Sequence, residues 1–340
     1  MTTQIAHQKH LQRTQSASPD RRGGLAFCSI ATPSHVPQAV ACLQSIHRYH
    51  EDARYFLLLV NAEGQQVSSL PDTTEALSIE DCVGADDLRM MRKRYSITEL
   101  CFAVKPFLIA TLLEAGMDQV HYLDSDCLAF NCMTPLVLDL ANADLLLTPH
   151  CLSPVPEDGQ SPSALTLLKA GTFNAGYISV RRTGQGADFV AWLSSMTIRY
   201  AKNAPKEGMC GDQRWLDLTP ALFPGMAICR HPGANVAYWN LHERKVLRDS
   251  EGHFRVNDQA LIFFHFSGHV ATHPTQLSKH QNRHPLIPGS HLHELVEFYR
   301  SHLPSDSERT PGKQRYLPTV LGRMTRLQSA VSRNPHEKKK

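Results

Sequence analysis

Leu25-Ala26-Phe27-Cys28-Ser29-Ile30-Ala31-Thr32 is an apolar run closed by Pro33. With so little polar character it suits a strand buried on both faces, as in a parallel sheet. Helical spacing follows through Val40, Leu43 and Ile46, and then a second apolar run, Tyr55-Phe56-Leu57-Leu58-Leu59-Val60. Strand, helix, strand at that distance is a β-α-β unit, so the fold class is α/β with a Rossmann-like sheet flanked by helices. The alternation recurs downstream: a helix over 104–113, strands over 120–123 and 144–148, and further strands over 176–181 and 226–229.

Outside this pattern the chain changes character. Residues 1–22 are polar and charged, which predicts a disordered leader with no signal-peptide core. The alternating elements then predict one domain over 23–300. From Arg309 onward nine Lys or Arg face a single acid, Glu337. Leu317, Val320, Leu321, Met324, Leu327 and Val331 recur at helical spacing there. A basic tail with an amphipathic helix is expected over 301–340, suited to peripheral contact with an anionic membrane.

A chain of 340 residues, 42% of them hydrophobic, buries a sizeable core, which excludes a disordered, collagenous or disulfide-stapled protein. The net charge of +3 gives no argument for a nucleic-acid partner. Nine scattered cysteines without a C-x-x-C pair read as free thiols of a reducing cytoplasm. No apolar stretch approaches the roughly 18 residues of a membrane span. The expected location is cytoplasmic, with the tail at the inner membrane.

His121-Tyr122-Leu123-Asp124-Ser125-Asp126-Cys127-Leu128 sets two aspartates directly after a strand. Ligands of open α/β sheets bind beyond the carboxyl ends of strands. Side chains of an extended segment alternate, so Asp-x-Asp presents both carboxylates the same way. Such hard oxygen donors suit Mg²⁺ or Mn²⁺ carrying phosphate oxygens. A short motif of this kind recurs by chance, and a solvated turn is its bland reading. Four further segments supply context: Thr172-Phe173-Asn174-Ala175-Gly176, Gly211-Asp212-Gln213 opening a helical run, Ala237-Tyr238-Trp239-Asn240, and Phe264-His265-Phe266-Ser267-Gly268.

In this order the segments resemble a glycosyltransferase of the GT-A fold, most similar to glycosyltransferase family 8, which includes glycogenin and bacterial lipopolysaccharide glycosyltransferases. The resemblance spans residues 25–285. It implies a nucleotide-diphospho-sugar transferase, with a UDP-sugar as the expected donor, that retains anomeric configuration and passes a hexose to a carbohydrate, lipid-linked or protein acceptor in bacterial cell-surface polysaccharide synthesis. Mn²⁺ (or Mg²⁺) ligation falls to Asp124, Asp126 and His265. Asp212 and Gln213 take the catalytic positions, Asn174 bounds the donor sugar, Thr32 lies near the base, and Lys105 approaches the nucleotide and sugar. The family follows His-Phe-x-Gly with a diphosphate-binding lysine. This chain runs His269-Val270-Ala271-Thr272-His273-Pro274 instead, and Lys279 is the candidate replacement.

Other classes compete. His265, His269 and His273, four apart within the His-rich 265–293 segment, would make a metal face on a helix and suggest a zinc hydrolase. Gly268 and Pro274 oppose that helix. A non-catalytic sugar-nucleotide-binding protein would fit lost metal ligands, which are intact. A nucleotidyltransferase would show a Gly-rich basic loop where Ala31-Thr32-Pro33-Ser34-His35 stands.

Overall fold

The computed structural model describes residues 24–61, 70–270, 272–273 and 275–303. The expected leader and nearly all of the basic tail lie outside the described residues.

Strands β1 (Leu25–Ala31), β2 (Arg54–Leu59), β3 (Thr74–Ser78), β4 (Gln119–Leu123), β6 (Leu145–Pro149) and β7 (Phe173–Arg181) form a seven-stranded sheet with Met226–Ile228. The short β5 (Cys127–Ala129) lies outside it. From one edge the order is Met226–Ile228, β6, β7, β4, β1, β2, β3. β1 runs parallel to β2 and β4, and β2 to β3. β7 is antiparallel to both its neighbours, β4 and β6. The expected α/β class is therefore present as a mostly parallel, mixed sheet.

The apolar runs build this sheet because both faces are covered. Along β1, Ala26, Cys28 and Ile30 join one core layer while Phe27 and Ala31 join the other. The first layer packs under α3 (Ala85–Arg94), α4 (Ile97–Glu114) and the helix Gly186–Tyr200. The second packs under α1 (Val36–His47), which follows β1, and the helix Thr134–Ala141; the short α2 (Ile79–Cys82) follows β3. A third layer forms where β5 pairs antiparallel with Phe263–His265.

α4 matters most for the site. It starts at a capping box, in which the Ser96 N–H donates to Glu99 Oε2 (2.9 Å) and Ser96 Oγ accepts from the Glu99 N–H (3.4 Å). Glu99 is thus the helix-start acid its position suggests. Leu100, Ala103, Val104, Leu108, Ile109 and Leu112 fill the core, which orients Lys105 inward as well.

Candidate active site

Alternation along β4 decides which way the first carboxylate faces. Val120 and Tyr122 belong to the layer beneath α4, while His121 and Leu123 face the other way. Asp124 continues the parity of Tyr122 and turns toward α4. Its N–H donates to Gly176 O (2.9 Å), and its Oδ1 accepts from the Tyr122 hydroxyl (2.6 Å). A tight turn follows, with the Cys127 N–H donating to Asp124 O (3.1 Å), and Asp126 lies on it. Both carboxylates stay in reach of solvent, their side chains being 30% and 35% exposed.

Lys105 meets this turn from below. Only 2% of its side chain is exposed, and its ammonium donates to Ala175 O (2.8 Å). It also lies 3.5 Å from Asp124 Oδ1 and 3.1 Å from Asp212 Oδ2, within ion-pairing range but without an aligned hydrogen bond to the latter. The Tyr122 ring lies 4.7 Å from the same ammonium. Burial alone would lower the lysine pKa, but Asp124 and Asp212 outweigh it and the net shift is upward. Asp212 moves up too, through burial and then the charge of Asp124, with Lys105 opposing. One cation here serves two carboxylates.

His265 arrives from the opposite end of the chain. The register His265↔Cys127 in the β5 pairing sets it beside the Asp-x-Asp turn, and the Phe266 N–H donates to Asp126 O (2.8 Å). Its Nε2 lies 3.0 Å from Asp126 Oδ1 and 3.8 Å from Asp124 Oδ2. Burial pushes the imidazole pKa down, yet the facing aspartates prevail and hold it above the ordinary value. Asp126 answers in kind: burial raises its pKa, His265 lowers it, and the net is downward. The ring needs room, because a Cβ on Gly176 would stand 2.3 Å from His265 Cε1.

Sequence reading missed Asn235. It is fully buried with a left-handed φ of 50°. A parallel bridge between Val236 and Phe264 brings it next to His265. Its Oδ1 lies 3.2 Å from His265 Nδ1, while its Nδ2 donates to Asn174 Oδ1 (3.0 Å) and Thr148 Oγ1 (2.7 Å). Asn235 thereby joins the imidazole to Asn174 and, through that side chain, to Gln213, whose Oε1 accepts from Asn174 Nδ2 and the Ala175 N–H (both 3.1 Å). Gln213 Nε2 donates to Ala170 O (2.9 Å), so most of this amide is occupied within the protein. An isolated Asn in a Gly-Ala-Asn-Val stretch carries no motif signal. Only a long-range bridge reveals it.

The donor set suits a divalent cation. Adjacent ligands of an octahedral ion at about 2.1 Å stand about 3 Å apart, which matches the Asp126–His265 spacing. A hydrogen bond at Nδ1 frees Nε2 as the ligand atom, the usual way a second residue orients a metal-binding imidazole. Asp126, Cys127 and His265 have ligand atoms within 4.8 Å of one another, the one such group among the described residues. Cys127 is fully buried, and burial raises its thiol pKa far above the usual range, which keeps it a neutral thiol and so a poor ligand beside Asp126 and His265.

Thus Asp124, Asp126, His265, Lys105, Asp212, Asn174 and Gln213 gather where the carboxyl end of β4 meets the amino end of β7. Thr32 sits at the end of β1, where its Oγ1 lies 2.9 Å from His35 Nδ1, and His35 in turn favours the charged form of Asp126. Lys279 is exposed, and its N–H donates to Gly268 O (3.0 Å); among the described residues its ammonium pairs with none of the site carboxylates. The segment 266–270 is non-helical, so the imidazole face that the zinc-hydrolase reading requires is not built. His269 turns away to accept from Arg300 Nε (3.3 Å).

No protein-family model matches the chain. It is similar to uncharacterized protein YfnF of Bacillus subtilis (strain 168), 25% identical over 284 residues, covering 82% of this chain and 92% of that protein. Protein YfnD of the same strain is 23% identical over 250 residues, covering 71% and 77%. Among solved structures, galactosyltransferase LgtC with donor and acceptor sugar analogues has a TM-score of 0.45 at 18% identity, covering 83% of this chain and 97% of that one. Xyloside xylosyltransferase 1 of mouse has a TM-score of 0.39 at 12% identity, covering 71% and 97%.

Proposed function

We propose that the protein is a metal-dependent glycosyltransferase of the GT-A type that moves a hexose from a nucleotide-diphosphate sugar to a glycan or lipid-linked acceptor. The observation that carries this reading is the convergence of Asp124, Asp126 and His265 at a strand end, with Lys105 buried between Asp124 and Asp212. A nucleotide diphosphate leaves with its charge increased, and groups aimed at that charge lower the barrier. Asp124, Asp126 and His265 would hold Mn²⁺ or Mg²⁺, which supplies Lewis-acid neutralisation of the phosphates.

The remaining roles fall to the chain itself. Lys105 sits between Asp124 and Asp212 and opposes the upward shift of the Asp212 carboxyl, so the charges of the site are arranged before substrate enters. Asn174 Oδ1 accepts from Asn235 Nδ2 and the Gly176 N–H while its Nδ2 donates to Gln213 Oε1, so the buried Asn174 side chain positions Gln213 and Asn235 beside the place for the donor sugar. Asp212 offers the carboxylate for positive charge developing at the anomeric carbon, in keeping with retention of configuration. The basic sequence beyond Arg309 would bring the enzyme to an anionic membrane surface carrying lipid-linked acceptors.

A panel of UDP- and GDP-sugars with Mn²⁺ tests the reading through nucleotide release. Release from one donor that stops on chelation is the expected result. Neither release nor saturable binding of any donor would overturn it. Deleting residues 309–340 should abolish sedimentation with anionic liposomes and leave turnover on a soluble acceptor intact.

A further inference from the structure

A second concave surface lies outside the carboxylate site. It is a cleft of about 510 Å³ lined by Asp86, Arg89, Met90, Lys93, Arg94 and Lys202. Four cations face one acid there. The sign runs against the rest of the molecule, because residues 24–303 carry 22 Lys and Arg against 28 Asp and Glu. Helical spacing explains the α3 half: Arg89 and Lys93, and Met90 and Arg94, are each four apart and share a face. Lys202 comes from a separate segment after the helix Gly186–Tyr200.

The cations are not consumed internally. Arg89 pairs with Asp86 (2.9 Å), but both side chains are largely exposed and such pairs hold weakly. Arg94 donates from Nη1 to Arg199 O (3.1 Å), leaving most of its fork available. Among the described residues neither Lys93 nor Lys202 has a carboxylate within 4.0 Å. The Glu99 carboxylate, whose charged form Lys202 favours, accepts from the Ser96 and Asn203 N–H groups.

The cleft is also tied to the carboxylate site. Gly211, at a left-handed φ of 58°, donates its N–H to Lys202 O (3.1 Å), and Asn203 pairs with Cys210 in a short hairpin. The backbone of Lys202 therefore lies across the hairpin from the residue that precedes Asp212.

We propose that this cleft binds a phosphate or diphosphate group of the acceptor, an assignment that rests on the sugar-transfer reading. Arg forks and lysine ammoniums match phosphate oxygens, and Met90 gives an apolar floor beside them. A glycosyl phosphate and a sugar linked to a prenyl diphosphate share that chemistry, and the test separates them.

Met90 is the reporter. The full chain, labelled with ¹³C at the methionine methyls and with the Met90 signal assigned through Met90→Leu, is titrated at low salt in EDTA. The probes are glucose 1-phosphate, glucose linked through a diphosphate to geraniol and, as a non-phosphate anion, citrate. One phosphate compound should move the Met90 methyl saturably, and a Lys93→Gln/Lys202→Gln chain should need about tenfold more of it. The tighter of the two phosphate probes names the source. Silence from both, an equal response to citrate, or no change in the double variant overturns the site.

With donor and Mn²⁺ added, the compound that occupies the cleft should accelerate nucleotide release, and again the double variant should need about tenfold more. Occupancy without acceleration overturns the acceptor role. Failure of the sugar-transfer reading looks different: no donor yields nucleotide at all, while the Met90 shift persists.

Discussion

Three buried histidines mark two kinds of region in this molecule. His121 lies within the sheet on β4, bonded to the Tyr177 hydroxyl (2.8 Å) and packed against Phe27. His150 follows β6 and contacts Gly171 O through Nδ1 (2.7 Å). Burial drives both pKa values down, to about 3 and about 4. His265 is just as buried, yet its pKa moves up, because it faces Asp126 and Asp124. Burial makes an imidazole neutral and structural; a facing anion makes it a charge partner. The same residue type does opposite work.

The sharpest way to break this contrast is substitution on each side. His265→Ala should weaken Mn²⁺ binding, read by titration calorimetry, by more than about a hundredfold, whereas His121→Gln should leave it within about threefold. Similar effects from both would erase the distinction between core and ligand histidines.

Lys105 tests whether the charged region also carries stability. With 2% of its side chain exposed, Lys105→Met strands two carboxylates and should cost about 3–5 kcal/mol in denaturant unfolding. A loss near zero would mean that water or a cation already compensates Asp124 and Asp212.

The neutral histidines set a pH window. Their folded pKa values lie below the unfolded value of about 6.5, so the unfolded chain binds the extra protons. The stability they contribute is present above about pH 6.5 and is lost as pH falls toward about 4. His150→Gln should flatten that fall by a few kcal/mol in urea titrations run at each pH. An unchanged slope would show that His150 is protonated in the folded state.

Asn235 gives the finest test. Asn235→Gly keeps the left-handed backbone at no steric cost but removes the amide that orients His265. Mn²⁺ affinity should fall about 10–100-fold, less than for His265→Ala. Equal losses would make Asn235 a structural requirement of the fold.

Much of this was legible in the chain itself. The apolar runs at 25–32 and 55–60 announced a buried parallel pair, because strands covered on both faces tolerate such continuous apolarity. Asp-x-Asp after a strand pointed to where carboxylates gather with His265 and Lys105, because the carboxyl ends of strands are where an α/β sheet leaves its backbone open. Glu99, in Thr98-Glu99-Leu100-Cys101, reads as an acid at a helix start, and the structure adds its Ser96 partner. Asn174, expected to bound the donor sugar, is the second residue of β7, where its neighbours in space and not in sequence set its hydrogen bonds.

What the sequence by itself determined is the set of elements and the chemical types at their ends, since periodicity and spacing are local properties. What only the tertiary structure decided is pairing across distance. His265 reaches Asp126 through a strand register spanning more than a hundred residues. Lys105 meets Asp212 through helix packing, and Asn235 reaches His265 through one bridge. Each contact is a balance of burial and charge that exists only when the two ends of the chain share one dry site, and no local pattern records it.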